Sequence, residues 1–198
     1  MEKKLKNIER KVKKILEEED EIREKALKDL REILVDSSLS IKLIHKKDFN
    51  KAEDIINNCI KKLEKIKKQL KKYPEIYYQG FLHQTEKEVI EALTTLKIIK
   101  EQDIPEIDSF DPISYLHGIS ESVGEVRRHL LDKMREGKKC DFENYLKIMD
   151  EIYYFLLNFP YNDAITRSLR RQVDYVRTII EKTRGEITTY YLFKKKDI

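Results

Sequence analysis

Apolar residues recur every three or four positions along almost the whole chain, the spacing of helices that bury one face. The first stripe is Leu5, Ile8, Val12, Ile15 and Leu16. A second follows in Ile22, Leu27, Leu30, Ile33, Leu34, Leu39, Ile41, Leu43 and Ile44. The two fit either one long helix or two helices with a break near Asp20. Asp48 is a good N-cap type, and Ala52, Ile55, Ile56, Cys59, Ile60, Leu63, Ile66 and Leu70 predict a helix over 49–72. Tyr73-Pro74 ends it, because the residue before a proline is pushed out of the α region. Pro74 suits the first turn of the next helix, which Tyr78, Leu82, Val89, Ala92, Leu93 and Leu96 carry to about Lys100.

Gln102 to Pro112 holds prolines and acids and reads as a solvent-facing linker. Ile113, Leu116, Ile119, Val123, Val126, Leu130 and Met134 predict a helix over 113–136, with Gly137 as its C′ residue. Phe142, Leu146, Met149, Ile152, Tyr153, Leu156 and Leu157 predict another over 141–158, broken by Pro160. The last stripe, Ile165, Leu169, Val173, Val176 and Ile180, is expected to stop at Arg184-Gly185, leaving 188–198 as a tail. No segment alternates as a strand does, and no repeat of fixed period is visible. The reading is an all-α, antiparallel bundle of six or seven helices in a single domain, with 1–20 as an N-terminal helical extension.

Composition agrees. Charged residues make up 39% of the 198 and only 5 are glycine, which suits long helices with solvated outer faces and few turns. A net charge of +4 permits a polyanionic partner without requiring one. The pairs Lys61-Lys62, Lys67-Lys68 and Lys71-Lys72 read first as solvated helix faces, with Tyr73, Tyr77 and Tyr78 close enough to stack bases or fill an interface. Cys59 and Cys140 have no CxxC spacing and read as reduced thiols, which points to a cytoplasmic protein. The start MEKKLKNIERK lacks the apolar core of a secretory signal. No run approaches the ~18 apolar residues of a membrane span.

Two pairs of glutamates stand out. Glu88 and Glu91 are three apart; Glu121 and Glu125 are four apart. On a helix each pair shares a face with Cβ atoms roughly 5–6 Å apart, so each concentrates negative charge. Neither Glu88 nor Glu121 has a lysine or arginine at i±3 or i±4. In a chain with 37 acids such pairs also arise by chance, and spacing alone favours ordinary solvated glutamates. If the two helices are neighbours, four carboxylates could hold one or two Mg²⁺ or Mn²⁺ ions suited to phosphodiester hydrolysis. His45, His83, His117 and His129 are scattered, form no HExxH and no pair of ExxH motifs, and are expected at the surface or at helix ends. There is no P-loop, no GxGxxG and no signature of an activated Ser or Cys nucleophile.

Four collinear segments resemble the translin superfamily. REKALKDLREILVDSSLSIKLIHK (23–46) is similar to its first conserved helix, and KEVIEA (87–92) to the acidic segment of translin-associated factor X. SYLHGISESVGEVRR (114–128) resembles the superfamily's most distinctive motif, and FPYNDAITRSLRRQVDYVRTIIEKTRGEI (159–187) its C-terminal helix. The resemblance implies a subunit of about seven helices that assembles into a hollow homo-octamer enclosing nucleic acid. Factor X subunits are metal-dependent endoribonucleases whose acids face that interior. Translin itself mainly binds single-stranded RNA and DNA and lacks the full acidic set.

The factor X acids fall on Glu88, Glu91, Glu121 and Glu125, the residues that helical phase had singled out. One departure is Glu121, where factor X usually has Asp; the longer side chain shifts a ligand by roughly 1.5 Å. Another is Tyr78-Gln79-Gly80-Phe81-Leu82-His83, where translin has a basic run. The nuclear-targeting extension of eukaryotic relatives has no counterpart here, which fits an archaeal, single-subunit version. The expectation is therefore a metal-dependent endoribonuclease for small or single-stranded RNA. Glu88, Glu91, Glu121 and Glu125 would be ligands to Mg²⁺ or Mn²⁺ and catalytic residues. Arg128, on the Glu125 face, is the best local phosphate contact, and Arg31, His45 and Lys46 are further candidates for the RNA path. The alternatives are a non-catalytic shell that binds single-stranded RNA or DNA, and a helical scaffold with no nucleic-acid role.

Overall fold

The computed structural model describes residues 1–194. The elements are α1 (Glu2–His45), α2 (Phe49–Leu70), α3 (Pro74–Tyr77), α4 (Gly80–Ile99), α5 (Pro112–Arg135), α6 (Phe142–Leu156), α7 (Asp163–Thr166) and α8 (Leu169–Lys194). No strand occurs among the described residues, and none of their helices is long and apolar enough to cross a membrane.

The first two stripes form one unbroken helix. No proline or glycine precedes Pro74, so nothing interrupts the hydrogen-bond ladder at Asp20. At 44 residues α1 is about 66 Å long. Its end is a Schellman motif: Lys47 takes a left-handed φ of 65°, its N–H bonds Ile44, and the N–H of Asp48 bonds Leu43. Gly137 closes α5 in the same way, as expected, with its N–H on Met134 and that of Lys138 on Lys133.

α2 returns along α1 and α4 returns along α2. Tyr73 Oη near Glu18, Lys62 near Asp36, and Lys100 on Glu53 mark the two antiparallel runs. These short connections behave as helical hairpins do. The α4–α5 connection does not. Lys67 donates to the Ser109 carbonyl, and the Asp111 N–H donates to Glu86. The linker has therefore doubled back to the start of α4. Residues 102–111 reach roughly 33 Å when extended, enough to retrace the ~30 Å of a 20-residue helix. α5 then runs beside α4 in the same direction, with His83 against Ser114 and Lys87 against Glu121. The linker is mostly exposed as expected, but the Tyr115 hydroxyl holds the Pro105 carbonyl, and Pro105 is buried.

The core has two layers. Ala26, Leu30 and Ile33 of α1 pack with Cys59, Leu63 and Ile66 of α2 and with Leu82 and Val89 of α4. Ile119, Val123 and Val126 of α5 pack with Met149 and Ile152 of α6 and with Val176 and Ile180 of α8. α4 and α5 join the layers. Roughly the first four turns of α1 project from this body, leaving Leu5, Ile8, Val12, Ile15 and Leu16 exposed.

Two boundaries differ from expectation. The helix expected from Pro74 to Lys100 is broken at Tyr78-Gln79. Ile76 and Leu82, six residues apart, would point to different sides of a continuous helix; the break lets both enter one cluster. The last helix begins after left-handed Arg167 and Ser168 and runs through Gly185 to Lys194. Ile187 is 2% exposed and Tyr190 packs on Phe142, so tertiary contact overrides the weak helix propensity of glycine. Residues 195–198 of the expected tail lie outside the described residues. Nothing lies within 4 Å of a Cβ built at Gly185. Gly185→Ala should therefore stabilise the protein by roughly 0.5–1 kcal/mol in a urea titration.

Candidate metal centre

The parallel run of α4 and α5 sets Glu88 and Glu91 beside Glu121. One carboxylate oxygen from each of the three lies within 4.8 Å of the others. The approach depends on Gly118, which sits directly under α4. A Cβ there would stand 2.6 Å from Ile90 Cβ and 2.7 Å from the Lys87 carbonyl oxygen.

These acids are not ordinary solvated glutamates. Side-chain exposure is 24% at Glu88, 20% at Glu121 and 22% at Glu125. Glu91 is the most perturbed: burial, then the charges of Glu121, Glu88 and Glu125, push its carboxyl up to about 8. The local cation missing from i±3 and i±4 comes instead from Lys87. Its Nζ is 2.8 Å from Glu121 Oε1 and 3.7 Å from Glu88 Oε1. Gln84 donates to Glu88 at 2.8 Å, and Gln172 of α8 reaches Glu121 at 3.4 Å. One ammonium does not balance three carboxylates, and Glu91 has no basic partner of its own among the described residues. An all-oxygen, half-enclosed donor set with surplus negative charge fits a hard divalent cation such as Mg²⁺ or Mn²⁺.

Glu125 lies one turn beyond Glu121 but stands apart from the triplet. Its Oε2 is 2.5 Å from His45 Nε2 and 3.5 Å from Arg128. Burial alone would raise its pKa; the His45 hydrogen bond and the charges of His45 and Arg128 outweigh that and hold it low. Glu91, Glu121, Gly124 and Glu125 line one wall of a cavity of about 480 Å³, and Arg171, Gln172 and Tyr175 of α8 line the other. The α8 residues escaped the sequence reading, although i, i+1 and i+4 place Arg171, Gln172 and Tyr175 on neighbouring faces of a helix.

Among the other candidates, Arg128 is half exposed one turn past Glu125, and Lys46 is exposed at the end of α1 next to His45. Arg31 is exposed about 21 Å up α1 from His45 and does not line the cavity. The expectation of histidines at the surface or at helix ends holds for His45, the last residue of α1, and for His83 in the first turn of α4, but fails for the other two. His117 and His129 are buried, and His117 Nε2 bonds the Thr166 carbonyl at 2.9 Å. Burial, with Lys133, His45 and Lys47 nearby, pushes His129 down to about 4. No histidine joins the carboxylate cluster among the described residues.

A carboxylate triplet held between parallel helices of a two-layer α-bundle defines an all-α protein with a half-buried acidic site. No family model matches the chain. It is 35% identical over 179 residues to the protein MJ0175 of Methanocaldococcus jannaschii, covering 88% of this chain and 79% of that one. It is also 31% identical over 171 residues to the regulatory protein RapD of Bacillus subtilis, of which it spans 47%. Among solved structures it is similar to AfC3PO at 34% identity, covering 92% of this chain and 96% of that one. The TM-score is 0.84 for the crystal structure of AfC3PO and 0.82 for its complex with duplex RNA. The chain belongs to the translin superfamily.

Proposed function

We propose that the protein is a metal-dependent endoribonuclease acting on small or single-stranded RNA within a homo-octameric shell. The observation that carries the reading is the convergence of Glu88, Glu91 and Glu121 to within 4.8 Å on a cavity wall also formed by Glu125. The complex of AfC3PO with duplex RNA supports RNA as the substrate class.

Glu88, Glu91 and Glu121 would hold Mg²⁺ or Mn²⁺, which neutralises charge on a phosphodiester and acidifies water when bound. Arg171 lines the cavity and half-exposed Arg128 stands beside Glu125, and both guanidinium groups would take phosphate oxygens. Tyr175, 55% exposed on the opposite wall, offers a ring on which a base can stack. Lys87 stabilises the carboxylates while the cavity is free of cation.

Labelled single-stranded and duplex RNA, incubated with Mn²⁺ or with a chelator, tests this directly. Cleavage should require the metal, and Glu121→Gln should stop it while RNA binding persists. Salt-sensitive binding with no cleavage at any metal concentration would instead establish a translin-like binding shell. Mass in solution checks the octamer.

A further inference from the structure

We propose that His45 is a positioning residue that withholds Glu125 from the bound ion, so that Glu88, Glu91 and Glu121 alone ligate it. This rests on the ion-site reading above and divides its four acids into two roles.

By spacing, Glu125 has the same claim on an ion as Glu121. The two are four apart on α5 and line the same cavity. Yet three carboxylates converge and the fourth does not. What holds Glu125 aside is the last residue of α1. The His45 side chain is 7% exposed, and its Nε2 donates to Glu125 Oε2 across 2.5 Å. Its Nδ1 is buried with no partner among the described residues, so within them that bond is the ring's single polar tether. The tether is rigid at its root. The backbone bonds from Lys47 to Ile44 and from Asp48 to Leu43 lock the end of α1, and Ile41 and Ile44 anchor it in the core. Arg128, 3.5 Å from the same oxygen, pulls in the same direction.

The division has a chemical consequence. Mg²⁺-type sites keep several positions for water and substrate oxygens. A fourth carboxylate would fill one of them and bind the ion more tightly. By tying Glu125 back, His45 keeps that position open, at the expense of affinity.

Mn²⁺ binding to the full chain, followed by calorimetry and by the electron paramagnetic resonance of free Mn²⁺, tests this without reference to turnover. Glu91→Gln should weaken binding about tenfold or more, and Glu125→Gln less than about threefold. His45→Ala should tighten it about tenfold, because the released carboxylate can reach the ion and adds charge to the ligand set. His45→Gln, whose amide can donate to Glu125 in place of Nε2, should stay near wild type. Circular dichroism confirms that each variant is folded; if His45→Ala is not, Glu125→Gln decides. The proposal is overturned if Glu125→Gln weakens Mn²⁺ as much as Glu91→Gln does. It is equally overturned if folded His45→Ala binds no more tightly than wild type. A wild type that takes up no Mn²⁺ would overturn the ion site itself rather than the tether.

Discussion

Glu91→Gln should abolish RNA cleavage and, in the same protein freed of metal, raise stability at alkaline pH. Both effects come from one carboxyl. In the folded chain burial and three neighbouring carboxylates lift Glu91 to about 8, whereas an unfolded glutamate titrates near ~4.3. A group raised on folding contributes stability below its unfolded pKa and loses it as pH climbs to its folded one. Wild-type stability should therefore fall between about pH 4.5 and about pH 8 and level off above, with a slope of at most ~1.4 kcal/mol per pH unit from this proton. Glutamine carries no charge to bury, so the variant should lack that component. Urea titrations at pH 5 and pH 8.5 with a chelator should show it gaining on wild type by up to about 4 kcal/mol at the higher pH. Mn²⁺ should narrow the difference. It stabilises whatever it binds, by about 2.7 kcal/mol at a hundred times Kd, and the wild-type triplet binds it better. Cleavage by the variant should drop at least about a thousandfold, the scale of several kcal/mol of lost charge stabilisation. A variant with the same pH profile as wild type would show that Glu91 is solvated and ionised throughout.

The helices were legible because burial of one face imposes a 3.6-residue period that survives any tertiary arrangement. The Glu88–Glu91 and Glu121–Glu125 pairs were legible for the same reason. What the period does not encode is direction. The linker 102–111 shows its prolines and acids in sequence, but not that it folds back to Glu86 and leaves α4 and α5 parallel. That turn of the chain brings the two acidic pairs together, and it also supplies Lys87. A residue one position from Glu88 does not share its face, yet it reaches Glu121 across the helix boundary. His45 and Glu125 are 80 residues apart in the chain, so their bond has no local signature at all. Gly185 misled for the converse reason: its low helix propensity is a local signal, overruled by Ile187 and Tyr190 packing beyond it. The translin-like segments carried information that local rules lack, because the family's helix order fixes which acids meet.

Gly118→Ala should be the most damaging single-methyl change in the protein, and it should damage the ion site along with the fold. An alanine in a helix is ordinarily better than glycine by about 1 kcal/mol, as expected at Gly185. At Gly118 the added Cβ would meet Ile90 Cβ at 2.6 Å, Ile90 Cγ2 at 2.7 Å and the Lys87 carbonyl oxygen at 2.7 Å. Two of these cannot yield by a rotamer change: a Cβ is fixed by its backbone, and the carbonyl belongs to α4 itself. Shortening Ile90 to alanine keeps its Cβ and so brings no full relief. The helices must move apart by a substantial fraction of an ångström, with an overpacking penalty of about 1–3 kcal/mol. That displacement carries Glu88 and Glu91 away from Glu121 and stretches the bond from Lys87 to Glu121. Mn²⁺ affinity should fall about tenfold, and cleavage with it. Gly124→Ala is the matched control on the same helix. Its Cβ would meet only Ile179 Cδ1, at an ordinary 3.9 Å, so it should be neutral or stabilising. If Gly118→Ala instead unfolds at the same urea concentration as wild type and binds Mn²⁺ equally well, the contact between α4 and α5 does not set the width of the carboxylate triplet.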